Sequence, residues 1–141
     1  MLPHQATSVA IGARALLIEG APGSGKSSLA LALIDRGAVL IGDDSLLLDA
    51  QGARLIARPH PRTRGLLEVR GLGLLPFPVC EAAPVALVLV LDEAASRYVA
   101  TAATAQRGGI ALPLLTLRPG SPVLHLAAEL ALARFGLELP G

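Results

Sequence analysis

Apolar residues occur along this chain in short runs separated by turn-forming residues, a pattern typical of strands buried in a sheet. Most runs are only four to seven residues long, and Gly, Pro or Asp bounds many of them. Gly12 is predicted to turn the chain between the first two runs, and Asp49–Gly52 to form a hairpin turn. The predicted strands are Thr7–Ile11, Ala15–Ile18, Val39–Ile41, Leu46–Leu48, Arg54–Ala57, Leu66–Arg70, Val85–Leu91 and Leu112–Leu117.

Two longer segments have the apolar spacing of helices. Lys26–Arg36 has a broad apolar face and is followed by Gly37, a common helix stop, and Val123–Phe135 is amphipathic. The Ala-rich segment Asp92–Gly109 is ambiguous. Strands mixed with helices predict one α/β domain over residues 1–141, with a central mixed sheet, a helix after the second strand, a C-terminal helix and added β-hairpins.

The composition narrows the class of protein. The chain is 52% hydrophobic and 16% charged, which argues against disorder, and it has two Phe, one Tyr and no Trp. A net charge of +1 and the scarcity of aromatic residues give no indication of a nucleic-acid partner. The longest apolar run, Pro84–Leu91, is far shorter than the ~20 residues of a membrane helix. We therefore expect a cytoplasmic domain with neither nucleic acid nor membrane as partner.

A phosphate-binding motif lies between the second predicted strand and the first predicted helix. Residues Gly20–Ser27 match G-x-x-x-x-G-K-[ST] at every required position. Its glycines allow backbone N–H groups to surround a phosphate, and Lys26, the only lysine among twelve basic residues, can reach the β- and γ-phosphates. Ser27 can place its hydroxyl on Mg²⁺. The motif predicts a kinase that binds ATP and Mg²⁺ through Gly20, Ala21, Pro22, Gly23, Ser24, Gly25, Lys26, Ser27 and Ser28.

Two pairs of acidic residues follow predicted strands and could serve this site. Asp92 and Glu93 end the strand Val85–Leu91, but Asp43 and Asp44 are the stronger pair. Their strand comes directly after the motif's helix, so a right-handed crossover places its carboxyl end at the same sheet edge. One carboxylate could accept a hydroxyl proton while the other supports the site. The alternative is that Gly-Asp-Asp-Ser is simply a solvated turn.

Three stretches resemble the catalytic domain of the HPr kinase/phosphorylase family, bifunctional enzymes that act on a serine of the phosphocarrier protein HPr. The motif continues into Leu31–Asp44, L-A-L-I-D-R-G-A-V-L-I-G-D-D, similar to the family's A-L-E-L-I-x-R-G-H-x-L-V-A-D-D. Leu66–Leu75, L-L-E-V-R-G-L-G-L-L, is similar to the family signature L-L-E-I-R-G-L-G-I-I. His4 stands upstream of the motif, as the family's active-site histidine does. The resemblance covers about half of the chain, from His4 to Leu75.

The resemblance implies a role for several residues. Asp43 would take the serine proton in the kinase direction and return it in the reverse, phosphorylase direction, with Asp44 in support. Lys26 would neutralise charge on the transferred phosphoryl group. Glu68 would join Ser27 on the metal, although a strand-surface ion pair between Glu68 and Arg70 is the alternative. His4 would lie near the nucleotide and Asp43, unless it belongs to a frayed terminus.

The chain also departs from the family pattern. Family members carry a further N-terminal domain, so the resemblance is to a short form. Near the C-terminus the family reads P-V-R-P-G-R-N, and this chain keeps Arg118 but has Ser121 and Pro122 in place of the second Arg and the Asn. That segment is associated with the reverse reaction and with subunit contacts, so phosphorylase activity and a family-like hexamer stay open.

The partner implied is an HPr-like phosphocarrier protein. Two alternatives remain: a kinase of the same fold with a small-molecule acceptor, and a nucleotide-sensing regulator that transfers nothing.

Overall fold

A computed structural model describes residues 1–98 and 100–139 of the chain. Its strands, in chain order, are β1 Leu2–His4, β2 Thr7–Ile11, β3 Arg14–Gly20, β4 Val39–Gly42, β5 Leu46–Gln51, β6 Arg54–Pro59, β7 Leu66–Val69, β8 Gly73–Pro76, β9 Ala83–Leu91, β10 Ala103–Arg107 and β11 Ile110–Leu117. Its helices are α1 Lys26–Asp35 and α2 Leu124–Phe135.

A large mixed sheet forms the centre of the fold, as the sequence predicts. Its strand order is β1-β5-β6-β9-β3-β2-β4, and β11 pairs with β9 and carries β10 at its outer edge. β9 is parallel to both β3 and β11, and the other pairings in the sheet are antiparallel. β7 and β8 form a separate two-stranded hairpin.

The position of β4 relative to β3 decides how the site is assembled. β2 is antiparallel to both of its neighbours, so β4 runs in the same direction as β3. This is the direction predicted from the crossover through α1, but β2 lies between the two strands. The carboxyl ends of β3 and β4 therefore open at the same sheet edge, separated by the width of one strand.

Successive side chains of β3 point to opposite faces of the sheet, and each face has its own part of the hydrophobic core. Leu16 and Ile18 are fully buried in a cluster that includes Leu33 of α1 and Leu132 of α2. Leu17 faces the other way, into a second cluster built largely from β5, β6 and β9. Both helices thus cover one face, and β3 is buried on both sides, which fixes the strand that leads into the phosphate motif.

The predicted helices and strands are present, and most of their ends lie within one to three residues of the predicted ones. The hairpin turn predicted at Asp49–Gly52 is wrong in its extent, because β5 continues through Gln51 and the loop is Gly52-Ala53. Gly52 has φ +61°, a conformation that glycine adopts without strain, so two residues are enough for the turn.

Three strands are not in the sequence-based prediction. β1 and β8 are short, and β10 occupies part of the ambiguous segment Asp92–Gly109. Val99, in the same segment, lies outside the described residues. Within the described part, neither helix has the length and apolar character needed to cross a membrane.

Candidate active site

The loop between β3 and α1 has the backbone geometry of a phosphate cradle. Gly20, Gly23 and Gly25 have φ of 157°, 81° and 102°, conformations in which an L-residue would be strained. At Gly20 a Cβ atom would also lie 2.5 Å from Ser24 Oγ and 3.0 Å from Leu91 O. The first glycine is therefore required by close packing against the loop and β9 as well as by its dihedral angles.

The Lys26 ammonium group folds back over this loop. Its Nζ donates hydrogen bonds to the carbonyl oxygens of Gly20, at 2.9 Å, and Ala21, at 3.2 Å. Lys26 is the first residue of α1, so the loop's N–H groups, the helix N-terminus and the ammonium group form one positively polarised pocket. This arrangement can bind a phosphate chain.

Asp43 is the most tightly held polar side chain of the site. It is only 7% exposed, and its Oδ1 accepts hydrogen bonds from Ser27 Oγ at 2.7 Å and Thr7 Oγ1 at 2.9 Å. Its Oδ2 accepts a third, from the backbone N–H of Glu68 at 3.0 Å. The carboxylate thus links the first turn of α1, β2 and the β7–β8 hairpin, which satisfies the requirement that a buried carboxylate be hydrogen-bonded.

Asp44 differs sharply from its neighbour. It is exposed, and its backbone has φ +62°, the only positive φ among the described residues other than glycine. Its N–H donates to Thr7 Oγ1 at 3.3 Å. The turn after β4 therefore directs one carboxylate inward, onto Ser27, and leaves the other at the surface.

The β7–β8 hairpin brings two further charged residues to the site. Leu67 is fully buried against α1, and the Glu68 N–H is bound by Asp43, so the hairpin is fixed at its base. The carboxylate of Glu68 and the guanidinium of Arg70 are exposed beside the loop. The ion pair between Glu68 and Arg70, the alternative that the sequence left open, is not among the salt bridges of the described residues.

Two cavities open onto the loop. The larger, about 840 Å³, lies between the loop, the end of β9, the segment after β11 and the start of α2, and includes Asp92, Glu93 and His125 in its lining. The smaller, about 260 Å³, is lined by residues from the loop, β2, the β4–β5 turn and the β7–β8 hairpin. Its charged lining residues are Lys26, Asp43, Asp44, Glu68 and Arg70.

The two acidic pairs considered from the sequence, Asp43-Asp44 and Asp92-Glu93, lie at different cavities. Asp92 accepts a hydrogen bond from the N–H of Ala94 and lies in the larger cavity, whereas Ser27 is bound by Asp43. Arg118 donates to the carbonyl oxygen of Ala95 at 2.9 Å, so in this structure it holds the turn that follows β9.

The resemblance implies a place for His4 near the nucleotide and Asp43, and in the structure its contact is with Glu19. Its Nε2 donates to Glu19 Oε2 at 2.8 Å, and it lines neither cavity among the described residues. Arg107, from β10, makes two further hydrogen bonds to the same carboxylate, at 2.9 and 2.7 Å. One feature of the sequence points to this cluster: Glu19 is the only charged residue after Arg14 in β3, and it directly precedes Gly20.

This cluster changes the ionisation of its members. Burial by itself raises the pKa of Glu19, but the hydrogen bonds and charges of Arg107 and His4 outweigh it and lower the pKa to about 2. The same contact with Glu19 raises the pKa of Arg107. Glu19 is thus a carboxylate at neutral pH that ties β1 and β10 to the strand leading into the loop.

A strand of a mixed sheet, a glycine-rich loop at its carboxyl end and a following helix, with a buried carboxylate bonded to the serine in the first turn of that helix, have the arrangement of a P-loop α/β domain. The chain belongs to the HPr serine kinase family. Residues 4–80 match the family model described as the HPr Serine kinase C-terminal domain.

Named relatives and a solved structure agree with this assignment. The HPr kinase/phosphorylase of Mycoplasma mycoides is 36% identical over 85 residues, which cover 55% of this chain and 27% of the relative. That of Neisseria meningitidis is 51% identical over 61 residues, 43% of this chain and 19% of the relative. The Hpr(Ser) kinase/phosphatase structure from Coxiella burnetii superposes with a TM-score of 0.83 at 26% identity, covering 94% of this chain and 95% of that one. The matched region spans about a quarter or less of the curated relatives' length.

Proposed function

We propose that this chain transfers the γ-phosphoryl group of ATP, with Mg²⁺, to a serine hydroxyl of an HPr-like phosphocarrier protein. The observation that carries the proposal is the 2.7 Å hydrogen bond between Ser27 and Asp43, at a cavity that opens beside the phosphate loop. Membership of the HPr serine kinase family supports the choice of acceptor.

Lys26 and the loop are suited to bind ATP, the phosphoryl donor. The loop's N–H groups would surround the β- and γ-phosphates, and the Lys26 ammonium would exchange its two carbonyl partners for phosphate oxygens. The larger cavity, at about 840 Å³, is within the range of small-molecule sites and would hold the nucleoside.

The donor set fits a magnesium ion carried in by the nucleotide. No group of three or more His, Cys, Asp or Glu side chains in the described residues could hold a metal by itself. Mg²⁺ usually keeps several waters and takes one or two protein ligands plus substrate phosphates. Ser27 can offer an oxygen lone pair while its hydroxyl proton is donated in the hydrogen bond to Asp43, and Glu68 is exposed at the same cavity. When bound, the ion would neutralise charge on the β- and γ-phosphates.

Asp43 is the proposed catalytic base. As the serine oxygen forms its bond to the γ-phosphorus, the bond from that phosphorus to the bridging oxygen breaks, and the electron pair leaves with ADP. The serine proton passes to the Asp43 carboxylate, and Asp44 supports the site from the surface. In a phosphorolysis reaction the same carboxyl group would return the proton.

His4 is proposed to act through Glu19. Its imidazole is bound to that carboxylate, which directly precedes Gly20. It would therefore stabilise the entry to the phosphate loop without contacting Asp43.

The test is a transfer assay with purified components. The chain is incubated with γ-labelled ATP, Mg²⁺ and the HPr-like phosphocarrier of the same genome, beside an Asp43→Asn variant and a carrier whose acceptor serine is replaced by alanine. Acid-stable label on the carrier serine, absent with Asp43→Asn although nucleotide binding persists, is the expected result.

Other outcomes point to other functions. Nucleotide binding without label on the carrier, but with transfer to a small hydroxyl compound, would indicate the small-molecule kinase. Binding with no transfer to any acceptor, together with an Asp43→Asn variant that keeps its cellular function, would indicate the nucleotide-sensing regulator.

A further inference from the structure

Arg70 occupies the boundary between the two cavities. The cavities share four residues of the glycine-rich segment, Pro22, Gly23, Gly25 and Ser28, and they share Arg70. Among the described residues that line the two cavities, Arg70 is the only one from outside that segment to border both. Its side chain therefore stands where a group would pass from the nucleotide side to the Asp43 side.

The backbone at Arg70 is held by a tight turn. The N–H of Leu72 donates to the carbonyl oxygen of Val69 at 2.9 Å, and Gly71 provides the positive φ of +85° at the third position of the turn. Glu68, two residues before Arg70, donates its N–H to Asp43. At ~3.3 Å per residue of extended chain, the backbone of Arg70 is about 7 Å from the Glu68 N–H that Asp43 binds. The hairpin thus positions Arg70 relative to Asp43 through the backbone.

The guanidinium of Arg70 has no hydrogen bond or ion pair in the described part of the chain. Other arginines are engaged: Arg36 with Glu129, Arg58 with Asp49, Arg64 with Glu81, and Arg107 with Glu19. The smaller cavity, moreover, brings three carboxylates, those of Asp43, Asp44 and Glu68, near the path of an anionic phosphoryl group, and Lys26 is its other cation. A free cation at this place offsets that repulsion.

We propose that Arg70 is a catalytic residue whose guanidinium contacts the γ-phosphoryl group during its transfer, an inference that rests on the proposed kinase function. In the transition state, charge is spread over the three equatorial oxygens of that group. A planar guanidinium can bind two of them at once. Arg70 stays protonated throughout. The bond changes are those described for Asp43, and the serine proton still goes to the Asp43 carboxylate.

The experiment compares Arg70→Gln, Arg70→Lys and the control Arg134→Gln, which removes an exposed arginine of α2 outside both cavities. With the carrier as acceptor, we expect Arg70→Gln to lower kcat by about 100- to 1,000-fold. The KM for the carrier and the affinity for Mg-ADP should stay within about threefold of wild type, because neither includes the γ-phosphoryl contact. Arg70→Lys should recover part of kcat, and Arg134→Gln should match wild type.

A second measurement separates this inference from the proposed function. Mg-ADP with aluminium fluoride mimics a phosphoryl group in transfer and needs no protein acceptor. Wild type should bind this mimic at least about tenfold more tightly than Arg70→Gln, although both bind Mg-ADP equally. Equal affinity for the mimic, or a change in carrier KM with kcat intact, would overturn the role of Arg70. Tight binding of the mimic by wild type without transfer to the carrier would instead count against the proposed acceptor.

Discussion

Ser27 Oγ donates a 2.7 Å hydrogen bond to Asp43 Oδ1, which joins the first turn of α1 to the end of β4. The bond fixes the direction of the lone pairs on Ser27 Oγ, because the hydroxyl hydrogen points to the carboxylate. Thr7, donating to the same oxygen, holds Asp43 from the β2 side. The hydrogen bond places the proposed proton acceptor and the proposed metal-binding hydroxyl at the same wall of one cavity.

Asp43 and Asp44 are expected to differ strongly in function. Asp43→Asn should lower kcat by about 100- to 10,000-fold, because the proton acceptor is lost. Asp44→Asn should keep at least about a tenth of wild-type kcat. Asparagine also tolerates the positive φ of this position well, so that variant carries little backbone penalty. Steady-state kinetics and nucleotide titration check both variants. A larger loss of kcat in Asp44→Asn than in Asp43→Asn would indicate that Asp44 is the base.

Lys26→Ala should weaken ATP binding by roughly 10- to 100-fold, the usual value of a charged hydrogen bond to phosphate. The free energy of unfolding without nucleotide should change little, since Nζ contacts only loop carbonyl oxygens. Calorimetric titration and urea unfolding measure the two effects. A variant that unfolds much more easily but binds ATP normally would show that the lysine is structural.

Gly20→Ala should destabilise the protein without nucleotide by about 1–3 kcal/mol more than Gly23→Ala. Both positions have positive φ, but a Cβ at Gly20 would overlap Ser24 Oγ and crowd Leu91 O, whereas one at Gly23 meets nothing within 4 Å. Urea unfolding of both variants checks the difference. Adding Ser24→Ala to Gly20→Ala should recover part of the loss, and equal destabilisation of the two single variants would contradict the packing argument.

Glu19 should make stability depend on acid pH. Because folding lowers its pKa from 4.5 to about 2, the stabilisation it provides is complete above about pH 4.5 and is lost as the pH falls towards 2. After allowance for solvent screening, we expect Glu19→Gln to cost about 1–2 kcal/mol at pH 7 and progressively less below pH 4.5.

Urea unfolding of Glu19→Gln at pH 7, 4 and 3 tests this dependence. Glu138→Gln, which alters an exposed glutamate near the C-terminus, is the matched control and should behave as wild type at each pH. A cost for Glu19→Gln that does not change with pH would mean that the carboxylate charge is unimportant in the cluster.

The sequence predicted those contacts of the site that follow from the order of strands and helices along the chain. Asp43 follows the strand that returns from α1, so topology alone brought it to the phosphate loop. The pairing of Glu19 with Arg107 could not be predicted in this way. The two residues are 88 positions apart, and β10, which carries Arg107, has the sequence A-T-A-Q-R, with little strand propensity of its own. Its extended form depends on pairing with β11.

Arg70 illustrates a different limit. The sequence predicted it as the last residue of the strand Leu66–Arg70, whereas β7 ends at Val69 and Arg70 lies in the turn that follows. A two-residue period also made an ion pair with Glu68 plausible. Its position between the cavities depends on the turn after Val69 and on the anchoring of Glu68 to Asp43. Both are tertiary features that a strand pattern does not contain.

The insertion of β2 between β3 and β4 divides the site into two modules. In the proposed mechanism, the loop between β3 and α1 binds the phosphoryl donor, while the proposed base follows β4 and the residues facing the acceptor come from the β7–β8 hairpin. The two modules are joined by the hydrogen bond from Ser27 to Asp43, and Thr7 of β2 donates to the same carboxylate oxygen. Under the proposed function, hairpin positions other than Glu68 and Arg70 are therefore the places where the choice of acceptor could be changed while the nucleotide contacts stay intact.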